Sequence, residues 1–228
     1  MIRAPMICFM GLDGSGKTSC IEHACAQLRQ RGIRAEVVRA AYVIRWLRSP
    51  VRLAKKLLMR KDSDPFTGNY VAYLKSLRLH AGRSGVYKIF SLLTAVEFHL
   101  QILFNIRLKR LTGRVLLVDR YIYDNAVTHA ANLGRDAEYM RKILRSRWRH
   151  APQPDKIIYV KTPVETCLSR KDDIPDPLYL QLREPLYEKM AEICGAAVVS
   201  GAQDLKSMLR QTMDEIDDVL RKGCGKRT

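Results

Sequence analysis

Gly11, Leu12, Asp13, Gly14, Ser15, Gly16, Lys17 and Thr18 have the types and spacing to hold phosphate: one glycine, four free positions, then Gly-Lys-Thr. Glycines let a loop close around phosphate oxygens, successive backbone N–H groups form an anion nest, and a following helix turns its positive end toward them. In such a loop Lys17 reaches the β and γ phosphates of a nucleotide, the Thr18 hydroxyl joins a Mg²⁺ shell, and Ser15 and Ser19 line the same turn. The competing reading is a glycine turn with a salt-bridged surface lysine. It explains neither the full eight-position match nor the setting between an apolar run and a helix pattern.

A second group lies at Asp119 and Arg120, where the apolar run "VLLV" ends. In a parallel sheet, ligands bind at the carboxyl ends of strands, so Asp119 would face the same crevice as Lys17 and could hold Mg²⁺ directly or through water. Arg120 would pair with an acceptor or transferring phosphate. A plain helix cap is the alternative for Asp119. Arg170 and Lys171, in "CLSRKDDIPDP", lie in a short charged lid near 169–177, where phosphoryl transfer calls for positive charge and exclusion of water. A solvated turn fits that composition nearly as well.

These residues need an alternating scaffold. "MICFM" reads as a buried strand, "TSCIEHACAQLRQRG" as a helix stopping near Gly32, and 34–40, 114–121, 156–162 and "AAVVS" as further strands. Between them, 86–113 reads as one long helix buried on much of its circumference, and 137–150 as a basic helix. Pro163 is expected in the first position of a short helix, and Pro185 to distort the helix "LYLQLREPLYEKMAEICG". The expectation is one domain over residues 1–228, an α/β fold with a doubly wound sheet of five parallel strands. The basic segment 41–85 fits least. Two amphipathic pieces flank a turn at Asp64-Pro65 and Gly68-Asn69, and the first, around Trp46, has the composition of an interfacial helix or of apolar residues lying on the sheet with arginines outward.

The chain has 228 residues and a formal charge of +17, from 40 Lys and Arg against 23 Asp and Glu. Such a balance fits anionic partners: nucleotides, nucleic acid or an anionic membrane surface. The six cysteines lack paired metal-ligand spacing, no run of apolar residues is long enough to span a bilayer, and the N-terminal apolar residues are needed for the first strand, so a reduced, cytoplasmic protein is expected.

The chain resembles the thymidylate kinase family of P-loop nucleoside-monophosphate kinases. "GLDGSGKT", "LTGRVLLVDRY", "KIIYVKTPVETCLSRK" and "LREPLYEKM" follow one another in that family's order across nearly the whole length. The resemblance implies a nucleoside-phosphate-kinase fold, often dimeric, with ATP and Mg²⁺ as donor and metal and a role in nucleotide biosynthesis. It implies that Asp13 lies near the acceptor sugar, that Asp119 and Arg120 serve the acceptor and transferring phosphates, and that Arg170 and Lys171 open the lid. The departures all concern the acceptor. An Arg-Glu-Pro-Gly run is missing after the second strand, where "VVRAAYVIR" keeps Arg39, and Phe98 stands beside Glu97 where the family carries an arginine. Arg39, Arg45 or Arg78 could supply the cation from another direction.

A small phosphorylated acceptor, by default a nucleoside monophosphate, is therefore the expected substrate. The alternatives are a kinase for another anionic or lipid-linked acceptor and a nonenzymatic nucleic-acid-binding protein. The second has charge in its favour but no aromatic-basic sheet motif or recognition helix, so nucleic-acid attraction is expected to be nonspecific. A guanine-nucleotide switch lacks its Asn-Lys-X-Asp segment.

Overall fold

Strand β1, Met6–Met10, is apolar at every position and fully buried, as a central strand covered on both faces must be. The computed structural model describes residues 5–40, 70–83 and 85–224. The basic piece around Trp46, the turn at Asp64-Pro65 and Gly68-Asn69, and Arg45 lie outside them.

Helix α1, Lys17–Gln30, and strand β2, Ala35–Arg39, follow β1. Helices α2, Tyr70–Arg83, and α3, Gly85–Ile102, lead through a π-helical turn, Leu103–Arg107, and a last turn, Leu108–Arg110, into β3, Val115–Asp119. Next come α4, Ile122–Leu133, α5, Ala137–Ser146, β4, Lys156–Lys161, α6, Val164–Ser169, α7, Pro177–Gln181, α8, Glu184–Cys194, β5, Ala197–Ser200, and α9, Leu205–Cys224. All neighbouring strands are parallel and the order is β2-β3-β1-β4-β5. The five expected strands are thus present in one sheet.

Alternation along β1 divides the core. Met6, Cys8 and Met10 join Leu116, Val118 and Tyr159 under α4 and α8, while Ile7 and Phe9 join Leu117, Ile158 and Val160 under α1 and α9. The path from β1 runs outward to β2, whereas that from β4 runs the opposite way to β5. Winding reverses between β1 and β4, the place where open parallel sheets leave a crevice beyond their carboxyl ends. The opposite end is pinned by Arg110, 3% exposed, which donates to Asp155 Oδ2 at 2.6 Å and to the Gln153 carbonyl at 3.0 Å while Asp155 accepts from the Met6 N–H.

Four local expectations need correction. Pro163 precedes α6 as its cap, in extended backbone (ψ 145°), and Val164 begins the helix. The break near Pro185 falls at Leu182-Arg183, because proline, lacking an N–H, fits without strain in the first turn of α8. From Leu92 onward, the long helix before β3 buries one face: Ala95, Phe98, Ile102 and Ile106 are inside, whereas Leu92, Val96, Leu100 and Phe104 are exposed. Helix α5 also stops earlier than expected, at Ser146, and Trp148 turns into the core.

Candidate functional site

The glycine loop follows β1 directly, and its backbone needs glycine. Gly11 and Gly14 adopt φ +144° and +83°, where a Cβ would lie 2.6 Å from the Val160 carbonyl oxygen and 2.5 Å from that of Cys167. The Thr162 hydroxyl donates to the Ser15 carbonyl at 2.9 Å. The end of β4 and helix α6 therefore clamp the loop from behind. Gly16 closes it at φ +95° as the cap of α1.

The first helical hydrogen bond of α1 runs from the Cys20 N–H to the Gly16 carbonyl, so the N–H groups of Lys17, Thr18 and Ser19 precede the helical ladder. No acidic side chain stands in that first turn, and Thr18 and Ser19 are exposed. This end of α1 offers donors and a positive dipole to an anion. Lys17 is 5% exposed; its ammonium donates to the Leu12 carbonyl and to Ser15 Oγ at 3.1 Å. Burial first, and then the charge of Arg120, pull its pKa down to about 8, against the carboxylates of Asp13, Asp124 and Asp119.

Across the crevice, Arg120 has φ +60°, the only non-glycine residue in this region among the described residues. Its guanidinium lies between two acids. Nη2 pairs with Asp13 Oδ1; Nη1 lies 3.5 Å from Asp124 Oδ1 and 3.4 Å from the Tyr187 hydroxyl. The Tyr187 hydroxyl donates to Asp124 Oδ1 at 2.8 Å, and the Tyr179 hydroxyl to Asp13 Oδ2 at 3.2 Å. Burial pushes the Asp13 carboxyl up, but Arg120, Lys17, Lys171 and Tyr179 outweigh it and hold it below the usual range. Asp124 is the reverse case: burial raises it despite Arg120, Lys17 and Tyr187. One cation thus serves a charged acid at the loop and a more deeply buried acid behind it.

The other expected residues are distributed around this centre. Asp119 ends β3 beside Arg39 of β2, with Arg39 Nε 3.7 Å from Asp119 Oδ2. Arg170 follows α6, donates to the Gly201 carbonyl at 3.4 Å and approaches the Gly16 turn. Lys171 pairs with Asp173 at 2.9 Å while its charge still bears on Asp13. Arg78 donates to the Asn132 carbonyl at the end of α4. Phe98 is 2% exposed and sits edge-on to Trp148, ring centroids 5.0 Å apart, as part of the core.

Sequence reasoning missed Asp124, Tyr179, Arg183 and Tyr187. The available signals were Asp124 four residues after Arg120 and the helical spacing of Tyr179, Arg183 and Tyr187. Arg183 is 3% exposed, donates to the Tyr70 hydroxyl at 2.9 Å and to Asn132 Oδ1 at 3.0 Å, and lies over the Tyr179 ring at 3.7 Å. It ties α7, and hence the partner of Asp13, to α2 and α4.

The burial of Phe98 yields an expected outcome. Phe98→Arg, which would restore the arginine of the resembled family, places a guanidinium against Trp148 in the apolar core, and the variant is expected to lose several kcal/mol of stability. Thermal melts followed by circular dichroism check this. A variant that melts with the parent and gains thymidylate turnover would place position 98 at an acceptor instead.

Among the described residues, no group of three or more His, Cys, Asp or Glu side chains is placed to hold a metal ion. Thr18, exposed at the start of α1, and Asp119, at the carboxyl end of β3, carry the hydroxyl and carboxylate oxygens that a Mg²⁺ beside a nucleotide accepts together with phosphate and water. No model of a known protein family matches the chain, and no curated protein matches it.

Proposed function

We propose that the chain is an ATP-dependent phosphotransferase of the thymidylate-kinase-like type, built on a nucleoside-phosphate-kinase fold and transferring the γ phosphate to a small phosphorylated acceptor. The observation that carries this reading is the buried Lys17 at the mouth of a glycine loop, with the Asp13–Arg120–Asp124 row across the same sheet edge. The N–H groups at the start of α1 and the Lys17 ammonium would hold the donor phosphates, and Thr18 and Asp119 the Mg²⁺. When bound, Mg-ATP supplies an electrophilic γ phosphorus and a leaving diphosphate.

The chain's own contribution is position and charge. Lys17 brings a cation already stripped of water, so a phosphate gains more from it than from a hydrated lysine. Arg170, near the Gly16 turn, can close over the transferring oxygens. Asp13, held ionised, can accept a hydrogen bond from an acceptor hydroxyl, and Arg120 can exchange part of its acid pairing for an acceptor phosphate. An acceptor oxygen attacks the γ phosphorus as the bond to the β-phosphate oxygen breaks and ADP leaves, a direct transfer for which no activated side-chain nucleophile is required. A nucleoside monophosphate is the default acceptor. Thymidylate preference is expected to be weak, because Phe98 is committed to the core.

The test is acceptor-dependent ADP formation by the purified chain with Mg-ATP, across deoxy- and ribonucleoside monophosphates, phosphorylated sugars and polyprenyl phosphates. At least one phosphorylated acceptor is expected to raise ADP release well above the acceptor-free rate. No stimulation by any of them, together with no ATP binding, would end the kinase reading; efficient turnover confined to thymidylate would end the altered-acceptor part alone.

A further inference from the structure

A groove of about 440 Å³ lies between α2 and α7. Val71, Leu74 and Leu79 of α2 line it together with Leu178 and Leu182, and its charged lining residues are Lys75 and Arg78. The helical period puts positions 71, 74, 75, 78 and 79 on one side of α2, so apolar residues and cations share that side. Leu74 is buried, whereas Val71 and Leu79 are 54% and 60% exposed. None of Asp13, Lys17 and Arg120 lines the groove, which is therefore distinct from the phosphate crevice.

The two cations are held without acids. The Arg78 guanidinium lies against Gly134, where a Cβ would be 3.1 Å from its Cζ; Nε donates to the Asn132 carbonyl at 3.1 Å and Nη2 to the Ala131 carbonyl at 3.3 Å. Nη1 is left over, and neither Arg78 nor Lys75 forms an ion pair among the described residues. The acids beside these elements in sequence are engaged elsewhere. Asp176 accepts from the Leu178 N–H at 2.7 Å, Asp136 from the Tyr139 N–H at 3.1 Å, and the charge of Glu184 acts on Tyr159 and Lys161 of β4. Arg183 adds a third positive charge next to Leu182. It donates to Asn132 Oδ1 at 3.0 Å, so two guanidiniums meet at Asn132, one on its carbonyl and one on its side chain. Its other acceptors, the Tyr70 hydroxyl and the Tyr179 carbonyl, are also neutral, and its buried Nε is unpartnered. Buried charge with neutral acceptors alone is poorly compensated, and the groove is a place where an anion relieves it.

From this placement we infer that the α2–α7 groove binds a small amphiphile with an apolar chain and a phosphate monoester head, the chain along Leu74, Leu178 and Leu182 and the head at Lys75 and Arg78. The size selects a small molecule: cavities of this volume take single ligands, whereas a protein partner covers about 800 Å² on each side. The cations select the head. Lys75 and Arg78, with Arg183 behind, suit a group carrying about two negative charges. The Arg78 edge that clasps a carboxylate, Nε with Nη2, is occupied by carbonyls, which leaves single donors suited to separate oxygens of a phosphate.

The test needs neither ATP nor an acceptor, so its failure and that of the phosphotransferase reading are distinguishable. Full-length protein is titrated calorimetrically with octyl phosphate below its micelle concentration, and in parallel with octanol, octyl sulfate and inorganic phosphate. Octyl phosphate is expected to saturate one site at least ~10-fold more tightly than octanol or octyl sulfate, and to raise the melting temperature. Lys75→Gln and Leu79→Asp, both at exposed side chains, are each expected to weaken that binding at least ~5-fold with unchanged melting of the free protein. Lys17→Met, altered only at the glycine loop, is expected to bind octyl phosphate as the parent does. The inference would be overturned by any of five results: no saturable binding, equal affinity for octanol or octyl sulfate, parental affinity in both groove variants, loss of binding in Lys17→Met, or a melting temperature that falls as octyl phosphate is added.

Discussion

Lys17→Met is expected to lower phosphate transfer by about 10²–10³-fold or more while leaving the protein at least as stable as the parent at neutral pH. Most substitutions at buried positions destabilise, so the second half of this expectation is the stringent one. Its basis is the cost of holding a lysine charged at 5% exposure: burial, with Arg120 nearby, brings the group from 10.5 to about 8. A gap of that size corresponds to on the order of 3 kcal/mol. Methionine fills similar space without charge but loses the hydrogen bonds to Leu12 and Ser15, which returns about 1 kcal/mol each. The balance is near zero or slightly favourable.

The sign of the pH dependence follows. Between about 8 and 10.5 the unfolded chain holds the Lys17 proton while the folded chain has released it. The cost of the buried charge is therefore full below pH 8 and fades as pH rises through that interval. Parent stability gains relative to Lys17→Met between pH 7 and pH 10, and denaturant melts at both ends measure it. A bound polyphosphate restores the favourable state of the ammonium, so ATP binding at pH 9 should take up a proton, seen as a buffer-dependent heat. Parental turnover by Lys17→Met would remove Lys17 from the chemistry.

Much of the fold could be read from local pattern, because the sheet makes strong local demands. "MICFM" is apolar throughout since both faces of β1 are covered, and Gly32 follows α1 in a left-handed turn (φ +74°). Where the pattern misled, tertiary context decided. The composition of 86–113 implied burial around most of the helix, yet composition cannot say which apolar side chains meet the core and which meet another phase. The helix expected over 137–150 ends at Ser146, because the buried Trp148 ring, packed on Phe98 and His99, and not the local helix pattern, determines where the chain turns inward.

The site divides along the same line. The glycine loop at 11–18 was legible as a turn because its shape depends on consecutive residues, with Gly11, Gly14 and Gly16 all at positive φ. The Asp13–Arg120–Asp124 row was not: Asp13 and Arg120 are 107 positions apart and meet only because β1 and β3 are neighbours. Arg120 was expected to face phosphate, but the left-handed backbone that aims it between two acids has no sequence signature in an arginine. Tyr179 and Tyr187 escaped notice because a tyrosine in an amphipathic helix reads as core, and only the geometry reveals hydroxyls turned to carboxylates.

Arg120→Met should then have the largest effect on stability. Removing the guanidinium leaves the buried Asp124 and the partly buried Asp13 without their shared cation, and an uncompensated buried charge costs about 3–5 kcal/mol. The backbone offers little relief, since methionine must also adopt φ +60°, a region β-carbon side chains avoid. The pH profile distinguishes lost charge pairing from lost packing. In the parent, Asp13 titrates below its unfolded value, so its contribution is present above that value and lost as pH falls through the folded one. In the variant, Asp13 and Asp124 each lose the largest of the charges that lower them, so both carboxyls shift upward and favour folding more than in the parent as pH falls toward the range in which they protonate. The parent and variant stability curves should therefore converge in acid and separate at neutral pH. Asp124→Asn added to Arg120→Met should recover part of the loss, with a coupling of about 1–3 kcal/mol, because the amide removes the charge that had lost its partner. Denaturant unfolding of the four proteins at pH 5 and pH 7.5 measures each term. A neutral-pH loss below about 1 kcal/mol with parallel profiles would show that the acids find other counter-charges and that Arg120 does not hold the row together.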